Sequence, residues 1–74
     1  METQPKTLAD LAEGQSAPIT ALLTRGLLRD RLLAIGMLPG TQVDFVRQDK
    51  GIAAYRICGA VVALRDVEAR SVAI

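Results

Sequence analysis

Residues 32–41 read LLAIGMLPGT, and this stretch restricts the fold more than any other. A helix cannot run on through Gly36 and Pro39. Glycine takes the left-handed conformation that ends a helix, and proline lacks the amide that a helix interior needs. With Gly36 at C′, the chain closes in a Schellman turn that brings Met37 at C″ against Leu32 at C3. Leu38-Pro39-Gly40-Thr41 then has the pattern of a type II turn, with proline second and glycine third. The stretch is predicted to be a rigid reversal from a helix into a strand.

The segments on either side fit that reading. Over residues 25–35, RGLLRDRLLAI, the apolar residues Leu28, Leu32 and Ile35 recur at i, i+4 and i+7, one stripe of a helix. Thr24 is its expected N-cap. Past the turn, TQVDFVRQD alternates, with Val43 and Phe45 on one face and Asp44 on the other. KG at 50–51 is a turn, and IAAYRIC alternates again, with Tyr55 and Ile57 opposite Arg56. Cys58 is read as a small buried residue within that strand, and Gly59 as a turn or bulge. AVVALR reads as a short, mostly buried strand, DVEA as one helical turn led by Asp66, and SVAI as a last strand.

Before the helix, SAPITALLT reads as one strand, with Pro18 marking an edge or a beginning. Ahead of it, Thr7 is expected to cap a single turn through Asp10 and Leu11 that ends at Gly14. Residues 1–6 are expected to be a loose tail, leaving 7–74 as one domain. Five strands in 74 residues predict a mainly β fold: a small barrel with one inserted α-helix and short helical turns.

A chain this short buries only about 60% of its unfolded surface, which leaves no room for a deep cleft. Half its residues are apolar and its mean hydropathy is +0.27, so some apolar surface is expected to remain exposed. Nine basic and eight acidic residues give a net charge of +1, and aromatic residues make up 3%. Neither favours nucleic acid, which asks for basic patches and stacking rings. The window from Leu22 to Pro39 carries Arg25, Arg29, Asp30 and Arg31, too many charges for insertion in a membrane. A single cysteine and a polar start, METQPKT, point to a reducing, cytoplasmic location.

The chain has no histidine. The commonest general base and the commonest metal ligand are therefore both missing. The glycines stand singly at turns and build no phosphate loop. Asp66 and Glu68 read as helix-start charges, not as an acid–base pair. No catalytic residue, cofactor or metal ligand is expected, and the chain reads as a binding module. Leu33 lies well off the buried helical stripe, and Leu38 sits at a turn tip. With Met37 and with Arg29 and Arg31 beside them, they form the expected partner-binding surface, provided that Leu33 does not simply pack beneath a loop.

Three stretches resemble a known family in order and spacing. They are LADLAEGQSAPI (8–19), RLLAIGMLPGTQV (31–43) and YRICGAVVALRDVEARSV (55–72), and together they look like the FeoA-like domain of ferrous iron transport protein A. The resemblance implies an SH3-like barrel and a cytoplasmic accessory role. The implied partner is the membrane ferrous iron permease with its GTPase domain, bound by protein–protein contact, and self-association into a homo-oligomer is compatible with the apolar surface. The alternative is an SH3-like adaptor or RNA-binding barrel unrelated to iron transport.

Overall fold

The computed structural model describes residues 6–74; the part of the expected tail at 1–5 lies outside them. The strands are β1 (Ser16–Pro18), β2 (Ala21–Leu22), β3 (Gln42–Asp49), β4 (Ile52–Ile57), β5 (Ala60–Arg65) and β6 (Val72–Ala73). They form a four-stranded sheet in the order β1-β3-β4-β5 and a two-stranded sheet of β2 and β6, antiparallel throughout. Helix α1 (Gly26–Ala34) connects β2 to β3, and the single turn α2 (Asp66–Ala69) connects β5 to β6. A 3-10 turn, Leu8–Asp10, precedes β1.

The large sheet follows from period-two alternation. Val43 and Phe45 of β3 face Ile57 and Tyr55 of β4, and all four are buried. The Phe45 and Tyr55 rings stack at 5.1 Å between centroids, with 26° between their planes, a separation at which offset aromatic pairs attract. Val46 breaks the register between Phe45 and Arg47, and beyond this bulge β3 carries polar, exposed residues to its tip.

Both hairpins of this sheet use two-residue loops with positive φ at each position: Lys50 and Gly51 at 51° and 80°, Cys58 and Gly59 at 50° and 82°. This is the type I′ geometry, whose twist matches that of the strands. Cys58 is therefore exposed at a turn, contrary to the buried strand position expected for it. Since Tyr55 and Ile57 point inward, alternation alone would also have turned residue 58 outward. β5 differs from expectation too. Only Leu64 is buried and Val62 partly so, because only one face of this sheet packs on the core and Val61, Ala63 and Arg65 alternate onto the other, as Arg56 does in β4.

The expected first strand is split. Ile19 and Thr20 carry the chain from one sheet to the other. The Ile19 amide donates to the Thr41 carbonyl at 2.9 Å, and the Thr20 amide to that of Ala73 at 2.8 Å. This corner makes six strands of the expected five. Pro18 lies on the edge strand β1, paired with Gln42, where a missing amide is tolerated. β6 is held on both sides. It pairs with β2, Ala73 bridges to Thr7, and the Ile74 amide donates to the Lys6 carbonyl at 2.9 Å. That bond ties down Lys6, the last residue of the expected tail.

The cap of α1 departs from expectation, whereas Thr7 is the N-cap of the opening turn as expected. The residue before α1 is Arg25, and its side chain makes no cap bond, so Thr24 is not the N-cap. At the opening turn the Asp10 carboxylate accepts the Thr7 amide at 2.9 Å, the half of a capping box supplied by the third residue of the turn.

The end of α1 forms as predicted. The Met37 amide donates to the Leu32 carbonyl at 3.0 Å and the Gly36 amide to that of Leu33 at 3.1 Å, the two bonds of a Schellman turn. The Thr41 amide then closes the type II turn on the Leu38 carbonyl at 3.0 Å, with Gly40 at φ 90°. A side chain at Gly40 would meet no atom within 4 Å, so substitution there is opposed by backbone conformation alone. Gly40→Val is expected to cost more than about 1 kcal/mol, read as a lower denaturant midpoint. An unchanged midpoint would remove the turn assignment.

Candidate docking surface

The surface begins where α1 stops. Leu32 and Met37 are buried at 1% and 0% exposure and clamp the helix end onto the core. Leu38 follows Met37 directly but points out, half exposed at 50%. Its backbone is fixed on both sides. Its amide donates to the Gly36 carbonyl at 2.8 Å and its carbonyl accepts from Thr41, while the neighbouring Gly40 amide donates to Ile19 at 2.7 Å. Leu38 is thus an apolar side chain on a backbone with little freedom, an arrangement that loses little entropy on binding.

Of the residues expected to form the patch, Arg29, Arg31 and Leu38 are exposed and Leu33 is partly buried. Met37 has no surface to offer. It belongs beneath the patch, as the residue that positions it. Leu27, near the start of α1, is 82% exposed. Ile35, expected on the buried stripe with Leu28 and Leu32, is 39% exposed and stands at the rim of a groove.

That groove has a volume of about 110 Å³ and runs between α1 and β5, with Arg31, Ile35, Val62 and Glu68 in its walls. One Glu68 carboxylate oxygen accepts the Arg65 amide at 2.8 Å, and the other meets the Arg31 guanidinium at 3.2 Å. Glu68 is 8% exposed. It joins α1 to α2 and fixes where Arg31 stands, though a pair this open on the arginine side adds under about 1 kcal/mol. In the sequence Glu68 reads as a helix-start charge only. Its position three residues after Arg65, the spacing at which a glutamate reaches back to the residue before a helix, was the available signal.

The Tyr55 hydroxyl donates to the Leu8 carbonyl at 3.2 Å. Burial, and then the nearby Asp66 charge, push its pKa from 10.0 up to about 12, so it stays protonated and acts as a structural donor. Among the described residues no three carboxylate or thiol side chains gather as a metal site would require. No helix among them is long and apolar enough to cross a membrane.

Two small antiparallel sheets around one core, with a helix inserted between the second and third strands and a rigid apolar turn at its end, define a small SH3-like β-barrel. The chain belongs to the FeoA domain family, whose model matches residues 6–74, and the family is associated with ferrous iron transport. Among solved structures it is similar to iron(II) transport protein A from Clostridium thermocellum, with 26% identity and a TM-score of 0.86 over 90% of this chain and 43% of that one. A FeoA protein from Chlorobium tepidum gives 22% identity and a TM-score of 0.83 over 90% of this chain and 66% of that one. FeoA of Stenotrophomonas maltophilia, a prokaryotic SH3 domain protein complexed with zinc, gives 23% and 0.82 over 90% and 86%. The same fold occurs in a manganese-dependent transcriptional repressor, with 16% identity and a TM-score of 0.81 over 95% of this chain and 41% of that one. This chain therefore spans less than half of the Clostridium thermocellum protein. No curated protein matches the sequence.

Proposed function

We propose that this chain is a cytoplasmic accessory protein of ferrous iron transport that docks on the membrane ferrous iron permease with its GTPase domain and regulates it by protein–protein contact, without catalysing a reaction itself. The observation that carries the reading is Leu38, half exposed on a doubly pinned turn with Arg29 and Arg31 close by in sequence. Small interfaces draw most of their energy from a few apolar or arginine anchors inside a polar rim. The arginines add speed of encounter with an acidic partner more than affinity. Membership in the FeoA family supports iron transport as the setting. So does the Stenotrophomonas maltophilia relative, for which a part as a ferrous iron transport activating factor has been put forward.

The test uses Leu38→Asp alone and together with Leu33→Asp. Leu38→Asp should leave the fold intact by circular dichroism, since half of that side chain is already in water. Iron uptake in cells and recovery of the permease from membranes should both fall at least about ten-fold, the loss of one central anchor. A folded Leu38→Asp, Leu33→Asp protein that binds the permease and supports uptake normally would rule out this patch. Recovery of a partner unrelated to iron transport would favour a general adaptor.

A further inference from the structure

The two outer edges of the four-stranded sheet are treated differently. At one edge β1 is only three residues long and contains Pro18. Where β3 runs on past it, the Glu13 carboxylate accepts the Gln48 amide at 3.1 Å. Short length, proline and a charged cover are the devices by which proteins keep a sheet edge from pairing with another chain. The opposite edge, β5, has six residues, no proline, and one charge, at its last residue Arg65.

The register tells which β5 groups are free. Ile57 and Ala60 flank a two-residue loop, so they form a hydrogen-bonded pair, and such pairs alternate along an antiparallel ladder. Tyr55↔Val62 and Ala53↔Leu64 are then the other bonded pairs. Val61, Ala63 and Arg65 direct their amides and carbonyls away from β4. The Arg65 amide agrees with this, since it is taken by Glu68 at 2.8 Å. Among the described residues nothing takes the outward amides of Val61 and Ala63. Val61 is 56% exposed.

We propose that β5 pairs antiparallel with β5 of a second copy of this chain, centred on Val62. Val61 then bonds to Ala63 of the other copy and Ala63 to its Val61, closing four hydrogen bonds about a two-fold axis. The strand suits itself as a partner. Val62 meets Val62, Ala60 meets Leu64, and the lone charge Arg65 falls opposite Gly59, so no like charges face each other. A net charge of +1 per chain adds little long-range repulsion. The Arg31–Glu68 pair limits the seam at its Arg65 end, and Ile35, exposed on the rim of the adjoining groove, offers an apolar contact beside it. The inference does not depend on the docking reading above, which concerns the turn at Leu38.

The test is sedimentation equilibrium from micromolar to millimolar protein, together with amide hydrogen exchange at low and high concentration. A weak dimer is expected, with the Val61 and Ala63 amides gaining protection as concentration rises. Val61→Lys should weaken it about ten-fold or more with an unchanged circular dichroism spectrum, by placing two new charges at the seam. Ala63→Pro should do the same, since it removes an amide that the β4–β5 ladder does not use. A monomer at millimolar concentration would overturn the proposal. So would a dimer that leaves exchange at Val61 and Ala63 unchanged, or one indifferent to Val61→Lys. Protection of these amides only on adding a different protein would assign the edge to a foreign strand and likewise overturn self-pairing.

Discussion

Tyr55→Ala is expected to lower stability by about 3–5 kcal/mol, the usual loss when a large buried aromatic side chain is cut to alanine. At about 0.05–0.15 kcal/mol per residue, a domain of 74 residues holds roughly 4–11 kcal/mol in all, so the variant should be largely unfolded on warming. Tyr55 is 1% exposed and stacked on Phe45, and its hydroxyl reaches across to Leu8. Tyr55→Phe keeps the ring and strands the Leu8 carbonyl, which should cost about 1–2 kcal/mol. Urea titration of the three proteins separates ring from hydroxyl. An alanine variant within about 1 kcal/mol of the parent would show that the ring is not central to the core. The same residue sets an alkaline limit. Its folded pKa, about 12, lies above the ordinary 10.0, so its contribution is complete below pH 10 and is lost as the pH rises from 10 through about 12, at about 1.4 kcal/mol per unit. This is the chain's only tyrosine, so tyrosinate absorbance follows it directly, and Tyr55→Phe should flatten the alkaline slope.

The second large effect is at Met37. Met37→Ala should cost about 2–5 kcal/mol, since it opens a cavity at a fully buried site, whereas Met37→Leu should cost less than about 1.5 kcal/mol. With 0% of Met37 exposed, the leucine variant should match the parent in the permease binding proposed above, and the alanine variant should lose it only to the extent that it unfolds. Denaturant midpoints measured alongside binding distinguish these outcomes. A stable Met37→Leu protein that no longer binds would show that Met37 itself reaches the partner.

The parts of this fold that local chemistry decides were legible in the chain. Gly36, Pro39 and Gly40 have few conformations open to them, and the helix end and turn formed as their placement predicts. Val43, Phe45, Tyr55 and Ile57 announced a half-buried sheet by alternation, and Pro18 announced an edge. What depends on distant neighbours was not legible. A uniformly apolar run such as AVVALR does not tell whether one face or two are covered, and the answer came from the sheet packing on the core with one face only. SAPITALLT carries no signal for its corner at Ile19 and Thr20, because the corner is fixed by carbonyls of Thr41 and Ala73. In the docking surface, the pinned turn at Leu38 could be read from its own residues. So could the packing of Met37 against Leu32, which the Schellman turn imposes; the hold of Glu68 on Arg31 could not, since it depends on how α1 and α2 pack.

The bracketing of β6 has a consequence for how the molecule assembles. β3, β4 and β5 meet across loops of two residues each, so their pairing closes short stretches of chain and costs little loop entropy. The seam between Leu22 and Val72, and the bond from Ile74 back to Lys6, join positions at opposite ends of the domain. For a free chain that closure is the most expensive one, and it sets a high contact order. Once the meander stands, the intervening residues are already gathered and the remaining gap is short. The sheet thus shortens the gap that its own closing strand must span, and the β2–β6 seam is expected to form last, as a local event between segments remote in sequence.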